Sequence, residues 1–183
     1  RSNAEAISPD GRRLASKLGV GGVVVCDAET GRRELLIADA HSPIAFSPDG
    51  RLLLAATAEY ETAIWELSSG EQVCVLPGAG WLANFSHDSA RVVAAFDDLT
   101  TVGVFDASSG RRLKAYKSPG QRHREADDST TSLVAVGFDH RNGVVAVEIV
   151  VAIEIDVWEK SLRTLLWERD SEGLSHATPW LEI

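Results

Sequence analysis

The sequence predicts an all-β protein of repeated four-stranded antiparallel sheets, and three observations predict it. One is a unit of four short apolar runs separated by turn signals, from Ile44 to Leu76. A second is its recurrence: Pro9 to Pro48, Gly31 to Gly70 and Phe46 to Phe85 are each steps of 39 residues, and Gly70 to Gly110 is a step of 40. The third is that no segment holds a helical period over three turns. A fixed period near 40 with four strands per unit points to sheets stacked radially as blades, the β-propeller architecture.

In the clearest unit, Ile44-Ala45-Phe46 leads into Ser47-Pro48-Asp49-Gly50. This is a turn whose proline pre-sets φ and whose glycine closes it. Leu52 to Thr57, Thr62 to Leu67 and Gln72 to Leu76 follow as strands, with Ala58-Glu59-Tyr60-Glu61 and Ser68-Ser69-Gly70 as the intervening turns. The other blades are placed by matching this pattern. Residues 1–6 form an N-terminal segment in which Ser2-Asn3-Ala4 resembles the remnant of a cleaved tag. Blade 1 covers 7–37, blade 2 covers 44–76 and blade 3 covers 82–116.

The fourth copy is offset, because Phe138 lies 53 residues after Phe85 and Trp158 lies 53 after Phe105. Residues 117–130, polar and charged, are therefore expected to be a surface loop inserted between blades, and 133–167 the fourth blade. Counting from Gly143 puts the turn between its second and third strands near Val151-Ala152-Ile153-Glu154. Such an apolar turn would be either an exposed contact patch or simply a pair of longer strands. Residues 168–183 read as the start of a fifth unit or as a capping strand, since Trp180-Leu181 repeats Trp81-Leu82.

A chain of 183 residues can bury a full core, and 44% apolar with 25% charged residues is the composition of an ordinary globular protein. Its formal charge of −9 argues against a phosphate-tracking surface, so nucleic acid is not an expected partner. Neither is a membrane: the longest apolar stretch, Val144 to Trp158, is interrupted by Glu148, Glu154 and Asp156. Cys26 and Cys74 fall on different strand types of different repeats and read as small apolar residues, which implies a reducing, cytoplasmic setting.

Ile7-Ser8-Pro9-Asp10-Gly11, the stretch from Phe46 to Ala56, and Phe105-Asp106-Ala107-Ser108-Ser109-Gly110 together resemble the WD-repeat family and its bacterial relatives. The resemblance covers roughly Ile7 to Trp167. The family's Trp-Asp pair stands here as Trp65-Glu66, Phe105-Asp106, Cys26-Asp27 and Trp158-Glu159, so this is a divergent member of the pattern. The resemblance implies a scaffold that binds proteins or peptides on its faces without catalysis. Alternatives of other classes are the propeller domain of a larger enzyme, such as a prolyl-oligopeptidase-like serine peptidase, and the repeat sensor of a bacterial signalling protein.

No catalytic signature is present. The sequence has neither a Gly-x-Ser-x-Gly elbow nor a phosphate loop opening a helix, and its five histidines are too dispersed for a metal centre. No cofactor is expected. Trp65, Phe105 and Trp158 occupy equivalent strand positions and are expected to pack blade against blade.

Trp81 and Trp180 differ, standing where inner strands begin, near one face of the ring, with Tyr60 in a turn on that face. They are candidate aromatic anchors for a protein or peptide partner, and Arg122 and Arg124 are candidate docking residues in the inserted loop. Open sheet edges would further allow pairing as a homodimer. If Tyr60, Trp81 and Trp180 anchor a partner, replacing each with Ala weakens its capture and leaves the thermal midpoint nearly unchanged; a large drop in that midpoint would place them in the core.

Overall fold

A computed structural model describes residues 6–19, 21–59, 61–96, 101–117, 130–138, 144–154, 157–167 and 177–182. They form sixteen strands in four antiparallel sheets, each of four strands taken in chain order. The first sheet holds β1 (Ala6–Ile7), β2 (Arg13–Lys17), β3 (Val23–Asp27) and β4 (Arg33–Ile37). The second holds β5 (Ala40–Phe46), β6 (Leu52–Thr57), β7 (Thr62–Glu66) and β8 (Gln72–Leu76). The third holds β9 (Ala79–Phe85), β10 (Arg91–Phe96), β11 (Thr101–Asp106) and β12 (Arg112–Lys117). The fourth holds β13 (Thr130–Phe138), β14 (Val144–Glu154), β15 (Val157–Trp167) and β16 (Ala177–Glu182). Successive sheets meet through their first strands, β5 touching both β1 and β9, and β9 touching β13. The arrangement is propeller-like.

Residues alternate between the two sides of a strand, so each sheet serves two neighbours. Phe46, Leu53, Ala55, Ala63 and Trp65 of the second sheet join Ala15, Val23, Val25 and Ile37 of the first in one core. Leu54, Ile64 and Leu76, pointing the other way, join Phe85, Val92, Ala94 and Phe105 of the third. Val93, Ala95, Val102 and Val104 continue the pattern toward Val144, Val136 and Phe138. Each fully buried Val, Leu, Ile or Phe stabilises the stack by about 1.5–3 kcal/mol. The expected blade-to-blade role of Trp65 and Phe105 is thus what the structure shows; the Trp158 side chain lies outside the described residues. Ile7 stands one repeat before Phe46, and it is 64% exposed where Phe46 is 6% exposed, because no described sheet covers it.

The sheets differ from the sequence expectation chiefly in the fourth unit. The second and third sheets begin a few residues earlier than expected, at Ala40 and Ala79. In the fourth, Val151-Ala152-Ile153-Glu154 is not a turn: it continues β14, pairing with Val157 to Lys160. Nor does a strand end after Trp158-Glu159. In units one to three the third strand ends at Asp27, Glu66 or Asp106 and the following turn closes on Gly31, Gly70 or Gly110, each with φ between 68° and 75°, whereas the fourth unit has Arg163 at the equivalent position and β15 runs on. The fourth strand is then β16, which pairs with β15, so residues 177–182 complete this sheet rather than opening a fifth. Lys117 and Thr130, the bounds of the expected loop, end β12 and begin β13; the residues between them, with Arg122 and Arg124, lie outside the described residues.

One close approach locks the second sheet to the third. Gly110 has φ +68°, and a Cβ built on it would lie 2.4 Å from the Val75 carbonyl oxygen. Gly11 has a similar φ of +70° with nothing within 4 Å. Gly11→Ala is therefore expected to cost about 1–2 kcal/mol, the strain of a left-handed residue with a side chain. Gly110→Ala adds a backbone clash and costs clearly more, on the order of 3 kcal/mol. Urea unfolding of the two variants checks this; equal losses would mean that the sheets are not in contact there.

Candidate functional site

The ends of the strands define two faces. One, the turn face, carries the loops after β1, β5 and β9 and the turns after β3, β7 and β11. Its organising residues are serine and aspartate more than proline. Ser8, Ser47 and Ser86 each donate a hydroxyl hydrogen bond to the Asp two residues on, at 2.7, 2.6 and 2.5 Å. The same oxygens accept the backbone N–H of Arg13, Leu52 and Arg91 at 2.8–2.9 Å. His87 replaces the turn proline without disturbing this pattern. Ser89 replaces the glycine, taking φ 60°, and its hydroxyl accepts the N–H of Asp49 from the neighbouring sheet at 3.1 Å.

The acids that follow the aromatic position act similarly. Asp27 Oδ1 accepts the Thr30 N–H and hydroxyl, both at 2.7 Å. Asp106 Oδ1 accepts from the hydroxyls and N–H groups of both Ser108 and Ser109. These bonds favour the charged carboxylates. The Ser108 and Ser109 hydroxyls hold Asp106 down to about 2. Ser8 lowers Asp10, Thr30 lowers Asp27 and Ser86 lowers Asp88. At Asp49 partial burial works in the opposite sense and is outweighed by Ser47 and Arg51.

A cleft of about 520 Å3 opens between the second and third sheets on this face, lined by Asp49, Arg51, Glu66, Val73, Asp88 and Asp106. Asp49, Asp88, Asp106 and Ser108 in its lining are bonded within their own turns, whereas the Ser89 hydroxyl reaches across to the Asp49 N–H of the second sheet. Cys74, nearby in β8, is half-buried and unbonded to Cys26. Burial, then the charge of Asp106, push its thiol up, the reverse of a reactive cysteine.

The opposite face carries the loops after β2, β4, β6 and β8. There Thr62 donates its hydroxyl to the Gly80 carbonyl at 2.7 Å, tying the start of β7 to β9. A second cleft, of about 560 Å3, lies between the first and second sheets and is lined by Gly22, Asp39, His41, Thr57, Glu59 and Glu61 among others. Asp39, Glu59 and Glu61 are exposed, and their carboxylates make no hydrogen bond or ion pair among the described residues. Among the described residues, no three of His, Cys, Asp and Glu converge to hold a metal ion.

Of the residues singled out in the sequence, Tyr60 lies outside the described residues, between Ala58-Glu59 and Glu61, which border this cleft. Trp81 belongs to β9 and Trp180 to β16, both at positions where the strand register shifts; their side chains lie outside the described residues. The anchors are therefore not seen to converge. Sequence reasoning also missed Thr57, although its equivalents one repeat away, Leu18 and Phe96, are apolar.

The depressed carboxylates fix a pH response. Asp106 titrates near 2 in the folded chain and near 3.8 unfolded, so its contribution is complete above about pH 4 and is lost as pH falls toward 2. Stability should accordingly rise from pH 2 to pH 4 and then level off. Asp106→Ala should flatten part of that rise, read from urea midpoints at several pH values; an unchanged slope would show that its turn bonds do not form.

No protein-family model matches the sequence. An alignment 68 positions long, covering 35% of this chain and 22% of the other, is 37% identical to the WD repeat-containing protein SL1-17 of Schistosoma mansoni. In structure, the chain superimposes on Kuenenia stuttgartiensis hydrazine synthase with a TM-score of 0.60 over 98% of this chain and 68% of that one, at 13% identity. That likeness is one of fold. No described helix is long and apolar enough to cross a membrane. About a third of the chain is thus similar in sequence to a WD repeat-containing protein, and its described residues form a propeller-like fold of four-stranded sheets.

Proposed function

We propose that the chain is a noncatalytic β-propeller interaction module that takes a protein or peptide partner on the face opposite the Ser-Asp turns. The observation that carries this reading is the contrast between the two faces. On the turn face Asp10, Asp49, Asp88 and Asp106 are engaged in holding loops. On the opposite face Asp39, Glu59 and Glu61 are left to the solvent around a cleft large enough for a side chain. The WD-repeat likeness supports the same class, and Tyr60 and Trp81 remain the proposed anchors on that face.

Peptides selected from a displayed library against the immobilised protein test the reading. Ala58→Trp would block the opposite face and Ala90→Trp the turn face, both positions being exposed. The selected peptides are expected to lose at least about tenfold in affinity, roughly 1.4 kcal/mol, on the first variant and to hold on the second. Loss on Ala90→Trp alone, or no selectable peptide, would overturn the reading.

A further inference from the structure

The stack of sheets has two ends. β5 touches β1 on one side and β9 on the other, and β9 touches β13, whereas no comparable contact joins the first sheet to the fourth among the described residues. Strand register identifies the side of the first sheet that is turned away from the second. Ala6, Ala15 and Val25 belong to the core shared with the second sheet, so their chain neighbours Ile7, Leu14, Val24 and Cys26 stand on the other side. Ile7 pairs with Leu14, Leu14 with Cys26, and Val24 with Leu36, and cross-strand partners share a side.

One repeat on, the same positions are Phe46, Leu53, Ala63, Trp65 and Val75. That side of the second sheet lies against the first: Phe46, Leu53, Ala63 and Trp65 are buried there and Val75 packs against them. In the first sheet only Val24 of the row is buried. Ile7 is 64% and Leu36 45% exposed, and Leu14 and Cys26 are partly so. A single exposed apolar side chain is ordinary, but a paired row at positions that are an interface in the next repeat marks a contact surface.

The repeat also says what kind of surface fits it. The corresponding row of the second sheet is covered by the far side of the sheet before it in the stack. At the other end of the described stack stands the fourth sheet, whose strands follow the same order and whose first strand packs on β9. The molecule therefore carries both halves of a joint that it already makes between its own sheets.

We propose that the first sheet of one copy of this chain packs on the fourth sheet of a second copy, with Ile7, Leu14, Cys26 and Leu36 in the joint, continuing the stack from chain to chain. A head-to-tail contact of this kind closes into a ring where its rotation allows and otherwise adds copies in one direction. It occupies the flank of the first sheet and does not depend on which face takes a partner.

Light scattering after size exclusion, across a range of protein concentrations, tests it. The chain is expected to form dimers or larger assemblies that dissociate on dilution. Ile7→Asp and Leu36→Asp should each weaken association at least about tenfold, because a carboxylate would be buried in the joint without a partner, and should leave the urea midpoint of the monomer unchanged. Labelling of the unaltered protein with a maleimide gives a second reading: Cys26 should react more slowly as assembly proceeds, while Cys74, packed against the third sheet of its own chain, keeps one rate throughout. Tagged wild-type chain should retain untagged Ile7→Asp, which still offers an intact fourth sheet.

A monomer at every concentration, with Cys26 labelling at a constant rate, would overturn the proposal; a lower urea midpoint for Ile7→Asp in that monomer would show the row to be covered within the chain itself. Assembly that persists in both Asp variants would place the contact elsewhere and overturn it too. Failure of the tagged chain to retain Ile7→Asp would mean that two first sheets meet each other, and the head-to-tail joint would be wrong.

Discussion

Sheets whose strands carry apolar side chains on both faces are not stable in water alone; each needs a partner on either side. That constraint governs the first three sheets. Leu53 and Leu54 are neighbours in β6, yet one belongs to the core shared with the first sheet and the other to the core shared with the third. Stacking is the only arrangement that buries both. It also sets the spacing of the repeats, because a strand shifted by one residue would exchange its two cores. Length can vary only where the chain leaves a sheet, which is where the sequence between β12 and β13 is longest.

Stacking leaves the strand ends exposed, and the two ends are treated differently. On one side the described loops after β1, β5 and β9 are drawn into hydrogen bonds from Ser to Asp and from backbone N–H to Ser and Asp, with Ser89 and Arg91 reaching across to neighbouring sheets. Arg91 lies 5.6 Å from the ring of Phe138, a cation–π contact between the third and fourth sheets. Their polar groups are consumed in making the frame. On the other side Asp39 and Glu59 stand exposed, and the buried Thr57 hydroxyl meets no hydrogen-bond partner among the described residues. Rigidity on one face and unspent polar groups on the other are what a docking module requires.

Much of the frame was legible in the sequence because turn chemistry and strand period are local. The steps of 39 between Pro9 and Pro48 and between Phe46 and Phe85 located three sheets within a few residues. The fourth was misdivided because its phase was counted from Gly143 while the glycine replaced by Arg163 was not weighed; without a left-handed residue the chain had no reason to turn. The organising role of Ser8, Ser47 and Ser86 was hidden behind the more conspicuous prolines, though serine alone persists where His87 replaces Pro. Thr57 was less legible still. Its significance depends on which loops surround it, and only the departure from Leu18 and Phe96 hinted at it.

The pairing of each strand only with its chain neighbours has a kinetic meaning. Contacts within a sheet join strands that are neighbours in the chain, and contacts between sheets reach back about one repeat. Formation should therefore not wait for the two ends of the chain to meet. Any of the first three units can serve as a nucleus on which the next condenses. Gly110 against Val75 and Ser89 against Asp49 then act as latches, engaging only when two complete units are already side by side.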